Sequence, residues 1–326
     1  MSDHAGDSLR HILIGDSLAM RVLRADIARF GASRLPILVE GPTGSGKELV
    51  ARAIHTVSRR AGALVAFNVC AISDGLFEDT MFGHVKGAFT GATQDAAGYL
   101  VEANGGTVFM DEVSGLGLQA QAKLLRALET GVFRPVGASR DRLSDFRLLS
   151  ASNENLTELS RRRAFRLDLL QRIGGCVLEV PSLDSRREDI TQLAEYFLRV
   201  ALSDSMITAA AIARLQDHSW AGNVRELRHV MERLQVIAGG EAIQARHVEA
   251  SLRPRGRVDL EQGTDQLSGR QLMIALELHG WDIGVAALSL KMHRATLYRW
   301  MSRLGISVPA SARIAKRVGA ETATHG

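Results

Sequence analysis

Cysteine is almost missing from this chain: Cys70 and Cys176 are the two among 326 residues. They lie far apart, in neither a CxxC pair nor a Cys/His cluster, which leaves a disulfide framework or a zinc site without support and points to a reduced, cytoplasmic setting. Long apolar runs are also lacking, so no membrane-spanning helix is expected. Residues 1–10 mix Asp, His and Arg with no apolar core of a secretion signal. Nor is there an internal repeat. Net charge is small, at +4, but it is unevenly placed. Between positions 269 and 318 eight Lys and Arg face two Asp and Glu, a surplus of six. Positive charge gathered on one small segment is the electrostatic footprint of a DNA-binding module, whereas a basic whole-chain value says little.

Apolar residues, by contrast, make up 46% of the chain, enough for packed cores. The length exceeds the size at which a single core stops growing, so one sizeable domain with smaller appendages is expected. Asp16-Ser17 followed by Leu18, Val22 or Leu23, Ile27 and Phe30 reads as a capped helix ending at Gly31. Residues 35–40 form a short apolar run, a buried strand, that leads through a glycine-rich turn into Leu49, Val50, Ala53, Ile54 and Val57 at helical spacing. Further strand-like runs at 64–67, 107–110, 146–151 and 176–180 alternate with helical stretches such as 119–129, which predicts an α/β fold with a parallel sheet and helices on both faces. After Pro181 only helices follow, at 187–202, 209–218, 223–238 and 245–252. Residues 253–269 are polar, with Pro254 and three glycines, and read as a linker. Three short helices occupy 271–304, and 308–326 is small, polar, basic and expected to be mobile.

The glycine-rich turn is Gly41-Pro42-Thr43-Gly44-Ser45-Gly46-Lys47. Between a strand and a helix, glycines let backbone N–H groups turn toward phosphate oxygens, the helix N-terminus adds its dipole, and Lys47 reaches the β- and γ-phosphates. Glu48 stands where a Ser or Thr hydroxyl generally holds Mg²⁺. A second half of the site is supplied by Thr107-Val108-Phe109-Met110-Asp111-Glu112, an apolar strand with two carboxylates at its C-terminal edge, where open α/β sheets bind ligands. Asp111 can hold Mg²⁺, directly or through water, and Glu112 can orient or deprotonate the attacking water.

Gly87-Ala88-Phe89-Thr90-Gly91-Ala92 resembles in full the surface-loop signature of the AAA+ activators of sigma-54 RNA polymerase, the bacterial enhancer-binding proteins. The resemblance runs roughly from 14 to 306. It implies a P-loop AAA+ sheet, a helical lid, ATP and Mg²⁺ as ligands, a ring that is usually a hexamer, and sigma-54 polymerase as the partner touched by Phe89 and Thr90. An exposed Phe on a glycine-flanked loop is costly unless a partner covers it. Glu48 is what this family usually carries. The resemblance further assigns Asn68 to holding the catalytic Glu112, Asn153 to sensing the γ-phosphate, Arg166 and Arg172 to reaching the neighbouring subunit's nucleotide, and Arg225, in Trp220-Ala221-Gly222-Asn223-Val224-Arg225-Glu226-Leu227, to the second sensor. Gly222-Asn223 is expected to cap that helix. Two departures stand out: Val85 and Pro135 replace the family's common Glu and Arg, so coupling between these two loops is expected to differ. Val180-Pro181-Ser182-Leu183-Asp184-Ser185-Arg186 is a loose version of the family's hinge into the lid.

Near the C-terminus, Leu297, Trp300 or Met301, and Leu304 make the buried stripe of a last helix, leaving Arg294, Thr296, Arg299 and Arg303 outward. That is the arrangement of a helix-turn-helix whose final helix enters the major groove of double-stranded DNA. Arg294-Ala295-Thr296-Leu297-Tyr298-Arg299 resembles the recognition helix of Fis-type modules. The resulting division is 1–10 flexible, 11–180 AAA+ α/β subdomain, 181–252 lid, 253–269 linker, 270–307 helix-turn-helix and 308–326 tail. The expected function is ATP-driven remodelling of sigma-54 polymerase from upstream DNA. The alternative is a DNA-binding regulator that binds nucleotide without turning it over; a third reading, an AAA+ unfoldase or chaperone, is disfavoured by the 87–92 loop and the DNA module. Because the ATPase starts almost at Met1, control in trans by a separate inhibitory or co-activating protein, or by expression level, is expected.

Overall fold

The structure is a computed structural model that describes residues 9–201, 205–252, 269–279 and 281–289, with Leu297, Met301 and Ile306. The chain divides into two compact units, Met1–Arg253 and Pro254–Gly326.

In the first unit a helical turn at 9–12 precedes helix α1, Leu18–Gly31, whose N-cap Ser17 accepts from Met20 N. Its Met20, Leu23 and Ile27 are buried, while Leu18 and Val22 face out. Burying each of the larger side chains stabilises the fold by about 1.5–3 kcal/mol. Strand β1, Ile37–Glu40, then enters the core and helix α2, Lys47–Ser58, leaves the glycine turn. The strands β2, Leu64–Asn68, β5, Thr107–Asp111, β8, Arg147–Ser152, and β9, Cys176–Glu179, join β1 in a five-stranded sheet of order β2-β5-β8-β1-β9. Every pairing in it is parallel. β1, β5 and β8 are almost continuously buried, as strands covered on both faces must be. One core cluster includes Leu38, Val108, Met110, Leu124 and Phe165. Another includes Ile27, Val39, Ile54, Phe109 and Leu178. The expected α/β architecture, a parallel sheet with helices on both faces, is the one observed.

Between β2 and β8, besides the helix expected over 119–129, lie elements too short for sequence periodicity to show. Helix α3 is Asp74–Phe82 and α4 is Tyr99–Glu102; β3, Gly83–His84, pairs antiparallel with β4, Ala96–Ala97. Helix α5, Leu118–Thr130, stops at Gly131, whose positive φ of 67° forms a left-handed C-cap. β6, Val132–Phe133, then pairs with β7, Arg142–Leu143. Two short helices, α6, Leu156–Arg161, and α7, Leu167–Ile173, lead to β9.

Beyond β9 the unit is helical: α8, Ile190–Val200, α9, Ala209–Asp217, α10, Asn223–Ala238, and α11, Ala245–Leu252. Residues 187–189, expected as the start of α8, belong instead to a 3-10 segment, Asp184–Asp189, broken at Arg186 (φ −138°, ψ 46°). Leu183, Leu193, Trp220, Leu227, Val230 and Leu234 form a separate core, so this lid packs around its own centre.

In the second unit helices α12, Gly269–Leu278, and α13, Ile283–Ser289, bury Leu272, Leu276, Ile283, Ala286 and Ala287 together with Leu297 and Met301. Trp300 and Leu304 of the expected stripe lie outside the described residues, as do Arg294, Thr296, Arg299 and Arg303.

Candidate functional site

The phosphate-type loop bends through Gly41, Gly44 and Gly46, at φ 159°, 77° and 110°. Two of these glycines are required for different reasons. A Cβ on Gly44 would run into the Gly222 carbonyl, whereas one on Gly46 would meet nothing within 4 Å, so Gly46 faces an open cradle with a backbone that favours glycine. Ser45 Oγ is buried without a hydrogen-bond partner among the described residues.

Lys47 is 6% exposed. Its Nζ donates to the Gly41 carbonyl at 3.0 Å and lies 3.7 Å from Glu112 Oε1. Glu112 follows β5 in a left-handed conformation, φ 56°, a state that costs a non-glycine residue about 1–3 kcal/mol and is retained at functional sites. Its backbone N–H donates to Asp111 Oδ1 at 3.1 Å. Burial first, and then the neighbouring Glu112 charge, push the Asp111 carboxyl above its ordinary value. Two crowded carboxylates facing one ammonium leave negative charge uncompensated.

Asn68 ends β2 opposite Asp111, and its Oδ1 accepts from Cys70 N at 2.8 Å; it caps the following turn. Asn153, just past β8, donates its amide to Thr43 Oγ1 at 3.0 Å. Glu48 is exposed and paired with Arg52 one turn on, at 2.8 Å.

Arg225 sits in the first turn of α10, where its backbone N–H donates to the Gly44 carbonyl at 3.2 Å. The larger surprise is Asn223. Gly222 is the N-cap residue of the helix, as expected; the Asn223 side chain, buried to 3% exposure, donates to the Thr43 carbonyl at 3.0 Å and to the Ala221 carbonyl at 3.4 Å, and accepts from Leu183 N at 2.8 Å. Arg186, also buried, donates to the Ser45 carbonyl at 3.0 Å. The lid therefore grips the phosphate loop at Thr43, Gly44 and Ser45. In the sequence Arg186 looks like one more surface charge, and nothing local signals its partner.

Beside the loop an apolar cavity opens, lined among others by Ile12, Ile14, Leu49, Val180, Tyr196 and Val224. Leu49 is 47% exposed; helical spacing placed it in the core, and it instead lines this cavity.

Arg166 forms a bidentate pair with Asp168, at 3.0 and 2.7 Å, on the exposed face preceding α7. Arg172 donates its Nε to the Leu128 carbonyl at 3.1 Å.

The aromatic loop closes on itself through Gly87 N to Ala92 O, 2.9 Å, and Ala92 N to Phe89 O, 3.0 Å. Phe89 is 44% exposed, its ring edge-on to His84 with centroids 5.0 Å apart; His84 in turn pairs with Asp79. Val85 N donates to the Val136 carbonyl, 3.1 Å, and Val136 N to the Gly83 carbonyl, 2.8 Å. A Cβ on Gly137 would approach Ala88 Cβ to 2.7 Å. Where Val85 and Pro135 supply no charges, backbone pairing and close apolar packing join the two loops.

Among the described residues no helix is long and apolar enough to cross a membrane, and no cluster of three or more His, Cys, Asp or Glu could hold a metal ion.

Comparison with known proteins bears on these same residues. The Sigma-54 interaction domain family model matches residues 13–179, and the AAA+ ATPase lid domain model matches 184–264. The transcriptional regulator VasH of Vibrio cholerae is 44% identical over 232 residues, covering 69% of this chain and 44% of VasH. The anaerobic nitric oxide reductase transcription regulator NorR of Klebsiella pneumoniae is 38% identical, covering 91% of this chain and 62% of NorR. This chain thus spans less than two thirds of either relative. The crystal structure of NtrX from Brucella abortus in complex with ATP superposes with a TM-score of 0.68 at 33% identity, covering 90% of this chain and 69% of that one. With the phosphate-type loop, the β5 carboxylates and the glycine-flanked aromatic loop all inside the matched span, the chain belongs to the Sigma-54 interaction domain family of AAA+ proteins.

Proposed function

We propose that this chain binds ATP, hydrolyses it between neighbouring copies in a ring, usually a hexamer in this family, and uses the cycle to drive the Phe89 and Thr90 loop against sigma-54 polymerase from upstream DNA. The observation that carries the reading is the position of Lys47 Nζ. It sits over the open glycine cradle, within 3.7 Å of Glu112 Oε1, on the Gly41 carbonyl that a phosphate would replace.

The nucleotide's phosphates lie along 41–47, with Lys47 on the β- and γ-oxygens, and its base enters the apolar cavity beside Ile14 and Tyr196. Mg²⁺ fits the residues present: the Asp111 carboxylate at the end of β5, crowded by Glu112, is a hard oxygen donor whose charge the single Lys47 ammonium does not balance. Asp111 would hold it, directly or through water, and the ion would supply charge neutralisation on the phosphate oxygens. Glu112 orients the attacking water and takes its proton. Asn153 reads the γ-phosphate from beside Thr43, and Asn68 holds the strand end next to Asp111 and Glu112. Arg166 and Arg172 face the neighbouring copy's phosphates, where arginine neutralises charge developing on the transferred group. Arg225 and the lid follow the phosphate state, and Arg294, Thr296, Arg299 and Arg303 contact DNA.

The test is phosphate release by the full chain. Glu112→Ala is expected to lower it by about 10²–10⁴-fold while ADP binding persists. Full turnover by that variant, or no turnover by the unaltered chain at any concentration, would contradict the reading and favour a regulator that binds nucleotide without hydrolysing it.

A further inference from the structure

The two walls of the apolar cavity come from segments far apart in the chain. One is residues 12–14; the other is α8, through Leu193, Tyr196 and Phe197. A single buried carboxylate ties them together. Asp189 is 2% exposed and stands immediately before α8. Its Oδ1 accepts from both Asp16 N and Ser17 N at 2.8 Å, and its Oδ2 accepts from Ser17 Oγ at 2.7 Å. Ser17 Oγ passes the constraint on by accepting from Met20 N at 3.3 Å, which fixes the start of α1. From the opposite side Arg24, buried as well, donates to the Leu13 carbonyl at 2.9 Å and the Gly15 carbonyl at 2.5 Å.

Residues 13–17 are thus held at nearly every polar group that these two side chains reach. Gly15 completes the fit. At φ 122° a Cβ on it would fall against the Asp189 carboxylate, so the strap lies directly on that group. The carboxylate sits within reach of two buried guanidiniums, Arg24 and Arg186, whose charges interact favourably with it. A buried anion with three donors and two nearby cations is satisfied and stiff, whereas removal of its charge would leave those donors under-satisfied and take from Arg186 its neighbouring anion, Arg24 keeping its pair with Asp16 at 3.2 Å.

We propose that Asp189 is a positioning residue for the nucleotide base, holding residues 13–17 against α8 so that the cavity keeps the width of a purine ring. This rests on the base-pocket assignment made above. Asp189 touches neither base nor phosphate in this scheme; it acts by setting the gap between the two walls. Affinity for the base half of a nucleotide therefore depends on it, and affinity for the phosphate half, held by the glycine loop, does not.

The experiment compares two probes on the full chain by calorimetry: ADP, and inorganic pyrophosphate as the same phosphates without base or ribose. In Asp189→Asn, ADP affinity is expected to fall about tenfold, the scale of a lost charged hydrogen bond, while pyrophosphate affinity stays within about twofold. Ser17→Ala, which removes one hydroxyl and leaves the backbone donors, is expected to shift ADP about threefold in the same direction, and it decides the matter if the Asp189 variant does not fold. Equal weakening of both probes, or ADP affinity unchanged in the folded variants, would overturn the proposal while leaving the pocket assignment intact. Unaltered chain that binds ADP no more tightly than pyrophosphate would overturn the pocket assignment itself, and the proposal with it.

Discussion

Asn223, at the start of a lid helix, donates its side-chain amide to the backbone carbonyl of Thr43 at 3.0 Å, across 180 residues of sequence. Asn153 reaches the hydroxyl of the same threonine from the sheet side. Thr43 is therefore held between core and lid, and a change of lid angle must pull on the loop that carries the phosphates. Asn223 adopts φ 53°, a conformation Asn tolerates better than most residues. Asn223→Gly keeps that backbone accessible and deletes all three side-chain hydrogen bonds, to Thr43, Ala221 and Leu183. Unfolding of the lid-containing unit should become easier by about 1–3 kcal/mol, read as a lower Tm, and the stabilisation gained on adding ADP should shrink. An unchanged Tm would mean that the grip is incidental.

Asp111 gives a pH dependence with a definite sign. Burial and the Glu112 charge raise its carboxyl above the ordinary value, so between the unfolded and folded values the folded state binds more protons than the unfolded one. Stability contributed by this group is present at low pH and lost as pH rises through the folded value; at neutral pH the ionised carboxylate is a net cost. Asp111→Asn should therefore raise the Tm of nucleotide-free protein at neutral pH, and the gain should vanish below the ordinary aspartate range, about 3.9. Thermal melts of both proteins across that range check it. The same substitution should abolish hydrolysis.

Arg166 is exposed, and within the single chain its guanidinium is taken up by Asp168, so action on an adjoining copy requires that surface pair to open. Arg166→Ala and Lys47→Ala are each expected to lose hydrolysis by about 10³-fold or more. Mixed together they should regain measurable turnover, because one supplies the arginine and the other an intact loop. Failure of the mixture, with assembly verified by sedimentation, would place the arginine's action within its own subunit.

Much of this fold can be read from the sequence because β1 and β5 are short apolar runs that end in an acidic residue, Glu40 and Asp111, and alternate with helical stretches, a pattern that suits a parallel sheet covered on both faces. The phosphate-type loop, Lys47, and the Asp111 and Glu112 pair were legible for the same reason: strand, turn and helix frame them locally. Partners were not legible. Asn223 has the local signature of a cap and instead spends its side chain on Thr43 and Leu183; Asp189, Arg24 and Arg186 resemble solvated surface charges until the fold buries them. Periodicity also could not say which of two adjacent residues turns inward, and Leu49 and Leu18, both at helical spacing, proved exposed. The hairpins at 83–97 and 132–143 contribute two-residue strands, too short to show an alternation.

The proposed coupling converts nucleotide chemistry at Lys47 and Glu112 into engagement of sigma-54 by the loop that bears Phe89. Its most direct test is binding of purified sigma-54 to the full chain in ADP with aluminium fluoride, a mimic of the hydrolysis transition state, measured by co-elution on gel filtration. A complex should form with the unaltered protein and disappear with Phe89→Ala, while that variant's phosphate release stays within about twofold, as suits a surface substitution remote from the phosphates. No complex with unaltered protein that demonstrably holds the nucleotide, or an equal complex with Phe89→Ala, would contradict the account.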